Sequence, residues 1–297
     1  MRPSRALDAL LAGLVDYAGL FPPAALAMPE AVAAYARYSN GPDRAMLGRF
    51  VLPASRLGEF AQCVRDVVHT GAPTLGAPWK LSALASPADA PQIAAFNEAQ
   101  DGRLVVDSVE AKAETVTAVN AIADALAARY HTYIEIPVRE DPTAMVRAIG
   151  KRRMRAKLRA GGVIADAFPA PAQVLAFLAV CSRERVPFKA TAGLHHPLRG
   201  EYALTYDADA PRGTMFGFLN VFLCAALLRA GVDAGAIAPL LEERDAAAII
   251  VLDDAIAWRG HSLPLAALVD ARAFFAGSFG SCSFEEPVRD LTSLDLH

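Results

Sequence analysis

The 297-residue sequence predicts a single α/β domain with the (β/α)8 TIM-type barrel fold and an N-terminal helical extension. From residue 46 onward, short runs of β-type residues alternate with alanine-rich runs whose apolar residues recur at helical spacing. Such alternation implies right-handed crossovers and a mainly parallel sheet. About eight strand–helix units can be recognised, which favours a closed barrel over an open doubly wound sheet.

The predicted strands are short and bounded by Gly or Pro. In chain order they are "MLGRFVLPAS", "WKLSALAS", "GRLVVDSVEAKA", "HTYIEIPV", "RMRAKLRAGG", "VPFKATAGLHH", "AAAIIVLDD" and "AGSFGSCSF". The predicted helices between them are "LGEFAQCVRDVVHTG", "ADAPQIAAFNEAQ", "ETVTAVNAIADALAARY", "DPTAMVRAIGKR", "APAQVLAFLAVCSRER", "MFGFLNVFLCAALLRAG", "GAIAPLLEER" and "LPLAALVDARAFF". Residues 1–45 are predicted to form the helical extension, and residues 46–297 the barrel, as one domain.

Composition restricts the partners of this chain. A net charge of −3 gives no electrostatic reason to expect nucleic acid or an anionic membrane. No apolar run reaches the roughly 18 residues of a membrane span, and Asp8 and Asp16 interrupt the N-terminal apolar stretch, which favours an amphipathic helix over a signal peptide. The cysteines are widely spaced without a CxxC pair, which is typical of reduced thiols: Cys63, Cys181, Cys224 and Cys282. We therefore expect a cytoplasmic protein that acts on a small molecule, with no nucleic-acid or membrane partner.

Polar residues near the predicted strand ends are the candidates for chemistry, because barrel active sites lie at the carboxyl ends of the strands. Charges inside parallel strands are costly, so several at one mouth indicate a site. The candidates are Asp107, Glu110, Glu135, Lys157, Arg159, Lys189, His195, His196, Asp253, Asp254 and Ser281 to Ser283.

Several of these residues have a structural interpretation as well as a functional one. Lys157 can pair with Glu135 or Glu110 inside the barrel. Arg159 can bind an anionic substrate group or form a structural ion pair. Asp107 and Glu110 are three positions apart and face opposite sides of an ideal strand, so one of them is expected to be structural.

The other polar candidates also allow two interpretations. His195 and His196 are adjacent and point apart in extended chain, which argues against paired metal ligation. Asp253 and Asp254 can cap the next helix or bind a cation, and capping is the default. The small residues of "GSFGSCSF" can let backbone N–H groups approach a phosphate, or can serve tight packing.

The two lysines lie on consecutive predicted strands, each ahead of a glycine turn, in "MRAKLRAGG" and "VPFKATAGLHH". This arrangement resembles the class I aldolase barrels, deoxyribose-phosphate aldolase in particular. The resemblance implies that Lys157 is the Schiff-base lysine, that Lys189 lowers its pKa, and that Asp107 in "LVVDSVE" is the proton-relay aspartate.

The likeness extends over roughly residues 100 to 200 and a short C-terminal motif. "YIEIP" resembles the following strand of the family, and "FGSCSF" its phosphate-binding last strand, which implies binding by Gly280, Ser281 and Ser283. The chain departs from the family where "LRA" follows the first lysine and "AGLHH" replaces a Gly-Gly. Together, "DYAGLFPPA", "KATAGLHHP" and "FGSCSFEEPV" resemble a family of bacterial proteins more than any single enzyme.

The chemistry of buried lysine supports the same function. A lysine beside another cation is disfavoured as ammonium, so a neutral amine becomes available to attack a carbonyl. Asp107 or Glu135 would move protons with a water molecule. Arg159 and Arg199, with His195 and His196 at the rim, would hold a carboxylate or phosphate. The sequence thus predicts a Schiff-base lyase that needs no metal or other cofactor.

Two other functions remain open at this level. A metal-dependent lyase or isomerase would place His195 or His196 with Glu135 and Asp107 around a divalent ion. A non-catalytic barrel protein would bind a small anion. The apolar runs "YAGLFPPAAL" and "FGFLNVFLCAALL" suggest a homo-oligomer contact, and burial within one chain explains them equally well.

Overall fold

The computed structural model of the protein describes residues 4–69 and 78–294. Its strands, in chain order, are β1 (Val15–Tyr17), β2 (Leu47–Pro53), β3 (Trp79–Leu84), β4 (Leu104–Lys112), β5 (His131–Glu135), β6 (Arg155–Arg159), β7 (Phe188–Thr191), β8 (Gly200–Ala203), β9 (Arg212–Met215), β10 (Ile249–Val251), β11 (Ala255–Trp258), β12 (His261–Pro264) and β13 (Ala276–Ser281). Its α-helices are α1 (Arg5–Leu11), α2 (Met28–Asn40), α3 (Leu57–His69), α4 (Ala90–Ala99), α5 (Val116–Ile122), α6 (Thr143–Lys151), α7 (Pro171–Arg183), α8 (Phe218–Arg229), α9 (Ala234–Ile237), α10 (Leu265–Phe274) and α11 (Glu285–Ser293). Residues 1–3 of the predicted extension, residues 70–71 of the first predicted helix and residues 295–297 lie outside the described residues.

Eight strands close into a barrel in the order β1-β13-β7-β6-β5-β4-β3-β2. Every pairing around the ring is parallel. A helix follows each of these strands in the chain, as right-handed crossovers require. The predicted (β/α)8 barrel is confirmed, and helix α1 precedes its first strand.

Two predicted elements take other places in the fold. Val15–Tyr17 was expected in the helical extension, but it forms barrel strand β1. Three residues are too few to show strand periodicity, and the alanine- and leucine-rich flanks give a helical pattern. The run "AAAIIVLDD" was expected as the seventh barrel strand, but its Ile249–Val251 forms β10 of a three-stranded antiparallel sheet, where Ile250 is 49% exposed. The barrel therefore contains β1, which was not predicted, and lacks β10, which was, so the number of barrel strands agrees with the prediction.

Helix α8 is apolar on every side, and every residue of it except Arg229 is buried. A helix of this kind belongs in a core. Its apolar run is therefore covered within the chain itself. The stretch Ala165–Arg183 is long and apolar enough for a membrane span by length and composition, and 33% of it is buried inside the structure, including Val174, Phe177 and Leu178.

Candidate active site

The interior of the barrel holds a connected set of charged side chains. Lys189 on β7 is 1% exposed, and its Nζ donates to Asp16 Oδ2 on β1 and to Glu110 Oε1 on β4, each at 2.6 Å. Asp16 is held in turn by the Ser278 hydroxyl at 2.6 Å and by the backbone N–H of Arg49 at 2.8 Å. These bonds satisfy the carboxylate of Asp16 on both oxygens, as a buried charge requires.

Lys157 on β6 joins this set through the other oxygen of Glu110. Its Nζ lies 2.8 Å from Glu110 Oε2 and 3.0 Å from Glu135 Oε2 on β5. Arg159, two residues further along β6, donates to Glu135 Oε1 at 2.8 Å. Lys157 and Lys189 are register partners on adjacent strands, and the carboxylate of Glu110 bridges their ammonium groups.

The charges of this network fix the protonation of its members. Burial alone would raise the pKa of Glu110, but the two lysines hold it far below its usual value. Burial would lower the pKa of Lys189, but Asp16 and Glu110 raise it well above the usual value. The pKa of Glu135 is lowered, because Lys157 and Arg159 outweigh its desolvation. Lys189 is therefore held as an ammonium ion, and the structural pairing of Lys157 with both Glu110 and Glu135 is present.

Asp107 does not join this network, contrary to the sequence-based expectation that it would share a cavity with the lysines. Leu81 of β3 pairs with Val106 and Ser82 with Ser108, so Asp107 is an extra residue in β4. Such a bulge shifts the side-chain alternation by one position.

The partners of the two acids differ accordingly. Asp107, nearer the amino end of β4, forms a two-bond ion pair with Arg49 at 2.6 and 2.8 Å. Glu110, beyond the bulge, receives the Ser82 hydroxyl at 2.7 Å and faces the lysines. We therefore assign no proton relay to Asp107.

A cavity of about 320 Å³ opens at the carboxyl ends of the barrel strands. Of the described lysines, Lys157 lines it, together with Glu110 and Arg159. Asp107, Glu135 and Lys189, which were expected to share this cavity with Lys157, are not among the described residues that line it. The apolar part of the wall comes from the loop after β1, from Val51 and Leu84, and from the β8–β9 hairpin: Ala18, Phe21, Pro22, Pro23, Ala203, Leu204 and Met215. The size suits a small organic molecule.

A second polar group lines the same cavity at the ends of β7 and β13. His195 Nδ1 lies 2.8 Å from Glu286 Oε2, and His195 Nε2 lies 3.9 Å from Cys282 Sγ. The Tyr206 hydroxyl donates to Glu286 Oε2 at 3.0 Å and lies 3.6 Å from Cys282 Sγ. Burial would lower the pKa of His195, but Cys282 and Glu286 raise it to about 9.

The loop after β7 turns sharply to bring His195 to this position. Ala192 and Gly193 both have positive φ, at 59° and 67°. A Cβ at residue 193 would lie 2.9 Å from Gly161 Cα, so the close approach of the two loops requires glycine.

The remaining predicted binding residues are divided between the cavity and its surroundings. His196 lines the cavity, but its ring stacks on Tyr202 at 3.5 Å and its Nδ1 binds Asp290 at 2.6 Å. The guanidinium carbon of Arg199 lies over the ring of Phe216, 4.7 Å from the ring centroid. Arg199 is not among the described residues that line the cavity.

The predicted phosphate-binding segment is divided in the same way. Gly280 lines the cavity. Ser281 is 1% exposed and accepts the backbone N–H of Ser283, whose own hydroxyl accepts the N–H of Glu286 at the start of α11. The two serines thus organise the beginning of a helix. Of the two remaining acidic candidates, Asp253 forms an ion pair with Arg5, and neither Asp253 nor Asp254 is among the described residues that line the cavity.

Within residues 4–69 and 78–294, no three His, Cys, Asp or Glu side chains are arranged to hold a metal ion. Comparison of the chain with protein-family models and with curated proteins found no match.

Asp16 and Glu286 are site residues that the sequence-based candidates omitted, and Cys282 lay within the candidate segment Ser281 to Ser283 without a predicted role. Asp16 had a signal, since a lone carboxylate in the apolar run "GLVDYAGL" must be paired when buried. Cys282 and Glu286 had no sequence signal beyond their place after the last strand. A Cys–His–Glu group is recognised by its geometry and not by the spacing of its residues in the chain.

Proposed function

We propose that this protein is a small-molecule lyase of the aldolase type, in which Lys157 forms a Schiff base with a carbonyl substrate that carries an anionic group. The observation that carries this proposal is that Lys157 lines the cavity while its Nζ lies 2.8 and 3.0 Å from the carboxylates of Glu110 and Glu135. The four cysteines are free thiols, which suits the cytoplasm.

The two carboxylates supply the proton transfers that imine formation needs. Glu135 accepts a proton from the Lys157 ammonium, and the free amine attacks the carbonyl carbon. The carbinolamine loses its oxygen as water after protonation by the same acid, leaving an iminium ion. The bond between the α and β carbons then breaks: its electron pair moves into the iminium to give an enamine, a carboxylate takes the proton of the β-hydroxyl, and the second fragment leaves as a carbonyl compound. The enamine is protonated at carbon, and water hydrolyses the resulting iminium, which releases the other product and regenerates the lysine.

The ion pairs of Lys157 are compatible with this role, because its nitrogen carries the same charge before the substrate reacts and after the iminium ion has formed. An iminium ion carries one positive charge on the same atom as the ammonium ion. Glu110 and Glu135 therefore stabilise both species, and the step that costs free energy is the brief passage through neutral amine.

Lys189 stabilises the site as a permanently charged group that does not line the cavity. It holds one oxygen of Glu110 at 2.6 Å and keeps that acid ionised. Its own charge is compensated by Asp16 and Glu110, so it acts on Lys157 mainly through the shared carboxylate of Glu110.

The anionic group of the substrate is expected near Arg159. Its side chain lines the cavity and is 51% exposed, while its Nε holds Glu135. His195 lines the same cavity and adds positive charge, since its pKa is raised. A carboxylate or a phosphate fits these charges.

The test is borohydride trapping with small aldehydes and 2-keto acids, followed by peptide mass spectrometry. We expect a reduced adduct on Lys157 that is lost in Lys157→Met and persists in the matched control Lys112→Met, which removes an exposed lysine at the end of β4. Glu135→Gln should slow trapping by about a hundredfold, as expected for loss of a general acid–base group.

Other outcomes would support the rival functions. Adducts spread over the exposed lysines, with Lys157 unmodified, would overturn the proposal. Turnover that requires an added divalent ion would favour the metal-dependent lyase. Saturable binding of a small anion without trapping or turnover would favour the non-catalytic protein.

A further inference from the structure

Cys282, His195 and Glu286 converge on the cavity from three separate segments. Cys282 directly follows β13, His195 lies in the loop after β7, and Glu286 is in the first turn of α11. All three line the cavity, and Cys282 and His195 are 5% and 9% exposed. The Schiff-base chemistry of Lys157 uses none of the bonds that join them.

The order of contacts is that of a nucleophile, a base and an orienting carboxylate. The sulfur lies 3.9 Å from one ring nitrogen of His195, and the carboxylate of Glu286 lies 2.8 Å from the other. The Tyr206 hydroxyl also donates to that carboxylate at 3.0 Å. A base oriented in this way activates a thiol for attack on a carbonyl carbon.

We infer that Cys282 is a second nucleophile of this cavity, activated by His195 and oriented through Glu286, and that it takes up the acyl group of a small ester or thioester. This inference does not depend on the proposed function of Lys157: the two share only His195, which there supplies a positive charge, and neither Cys282 nor Glu286 takes part in the Schiff-base chemistry.

The groups around the sulfur favour its ionised form. Burial would raise the pKa of the Cys282 thiol, but hydrogen bonding to His195 and the charge of that ring lower it below its usual value, with help from Tyr206 and the backbone N–H of Ala24. Burial raises the pKa of Tyr17 on β1, and the charge of Cys282 contributes to that rise. The other cysteines differ, because burial raises the pKa of Cys63, Cys181 and Cys224.

The proposed step balances with water as the only co-reactant. His195 holds the proton of the thiol while Cys282 Sγ forms a bond to the acyl carbon. The bond from that carbon to the leaving oxygen or sulfur breaks, and the leaving group takes the proton from His195. Water then attacks the enzyme-bound thioester with His195 as base, which releases a carboxylic acid and restores the thiol.

The first measurement compares the four cysteines within the folded wild-type protein. Iodoacetamide is added between pH 6 and 9, and the rate at each cysteine is followed by peptide mass spectrometry. Near pH 6.5, Cys282 should react about tenfold faster than the more accessible Cys63, because the pKa of the Cys282 thiol is lowered and that of Cys63 is raised, which gives Cys282 the larger thiolate fraction. His195→Gln should remove this advantage, and Cys63→Ala should leave the Cys282 rate unchanged.

The second measurement uses p-nitrophenyl acetate as the acyl donor. A stoichiometric burst of nitrophenolate and an acetyl group on Cys282 are expected, and both should be lost in Cys282→Ser, which keeps the volume of the side chain. Glu286→Gln provides a variant that retains the imidazole but not the orienting charge. The inference is overturned if Cys282 alkylates no faster than Cys63, or if acetylation occurs elsewhere in the chain.

Discussion

The ammonium group of Lys189 lies between two carboxylates and has almost no exposure to solvent. Removing one partner from such a group leaves charges that neither water nor protein compensates. Lys189→Met would leave Asp16 without its lysine partner, and Glu110 with Lys157 alone. We expect this variant to lose about 3–5 kcal/mol of unfolding free energy, measured by denaturant titration near pH 7.

Lys157→Met is the matched control, because it removes a lysine from the next strand of the same network. Glu110 keeps its bond to Lys189, and Glu135 keeps its bond to Arg159. The loss should therefore be smaller, about 1–3 kcal/mol. Equal denaturation midpoints for the two variants would contradict the different roles assigned to the lysines.

At the scale of elements, helix α8 connects the barrel to the segments that follow it. Asn220 on this helix is fully buried, and its amide donates to the backbone oxygens of Leu240 at 2.7 Å and Glu243 at 3.0 Å. Its side-chain oxygen accepts the backbone N–H of Arg199 at 2.8 Å. One side chain thereby holds the loop that follows the two histidines against the segment before β10.

Asn220→Leu should destabilise the protein by about 2–4 kcal/mol, since it keeps the branched shape of the side chain but leaves buried backbone groups without partners. Thermal unfolding and denaturant titration measure this loss. The control is Cys224→Ala in the same helix, which breaks none of these bonds and should cost about 1 kcal/mol. A loss for Asn220→Leu no greater than for Cys224→Ala would show that the connection contributes little.

At the scale of the whole molecule, the barrel departs from the usual apolar filling. Acids from β1, β4 and β5 alternate with lysines from β6 and β7 across the interior. The charges of the three acids Asp16, Glu110 and Glu135 are matched by Lys157, Lys189 and Arg159. This compensation allows a charged interior to support a cavity at the carboxyl ends of the strands.

The sequence was sufficient for the architecture and for part of the site. Strand–helix alternation predicted the barrel, and charges within strands identified Lys157, Lys189, Glu110 and Glu135. The sequence did not show which of these side chains pair with one another. A single extra residue in β4 separates Glu110 from Asp107, and no local pattern in "LVVDSVEAK" marks that bulge.

Short or distant elements were the other source of error. Strand β1 is three residues long, so its pairing with β2 and β13 depends on tertiary contacts and not on local pattern. The meeting of Cys282 with His195 likewise depends on β7 and β13 being neighbours in the barrel, although they are far apart in the chain.

Competitive labelling of the five lysines with trace acetic anhydride tests most directly whether Lys157 and Lys189 have different roles. Lys80, Lys112 and Lys151 are exposed and serve as internal references. In the folded protein, Lys157 should be acetylated through the cavity, and Lys189 should remain unlabelled until the protein unfolds. Labelling of Lys189 as fast as Lys157, or protection of both until unfolding, would contradict a reactive lysine supported by a locked one.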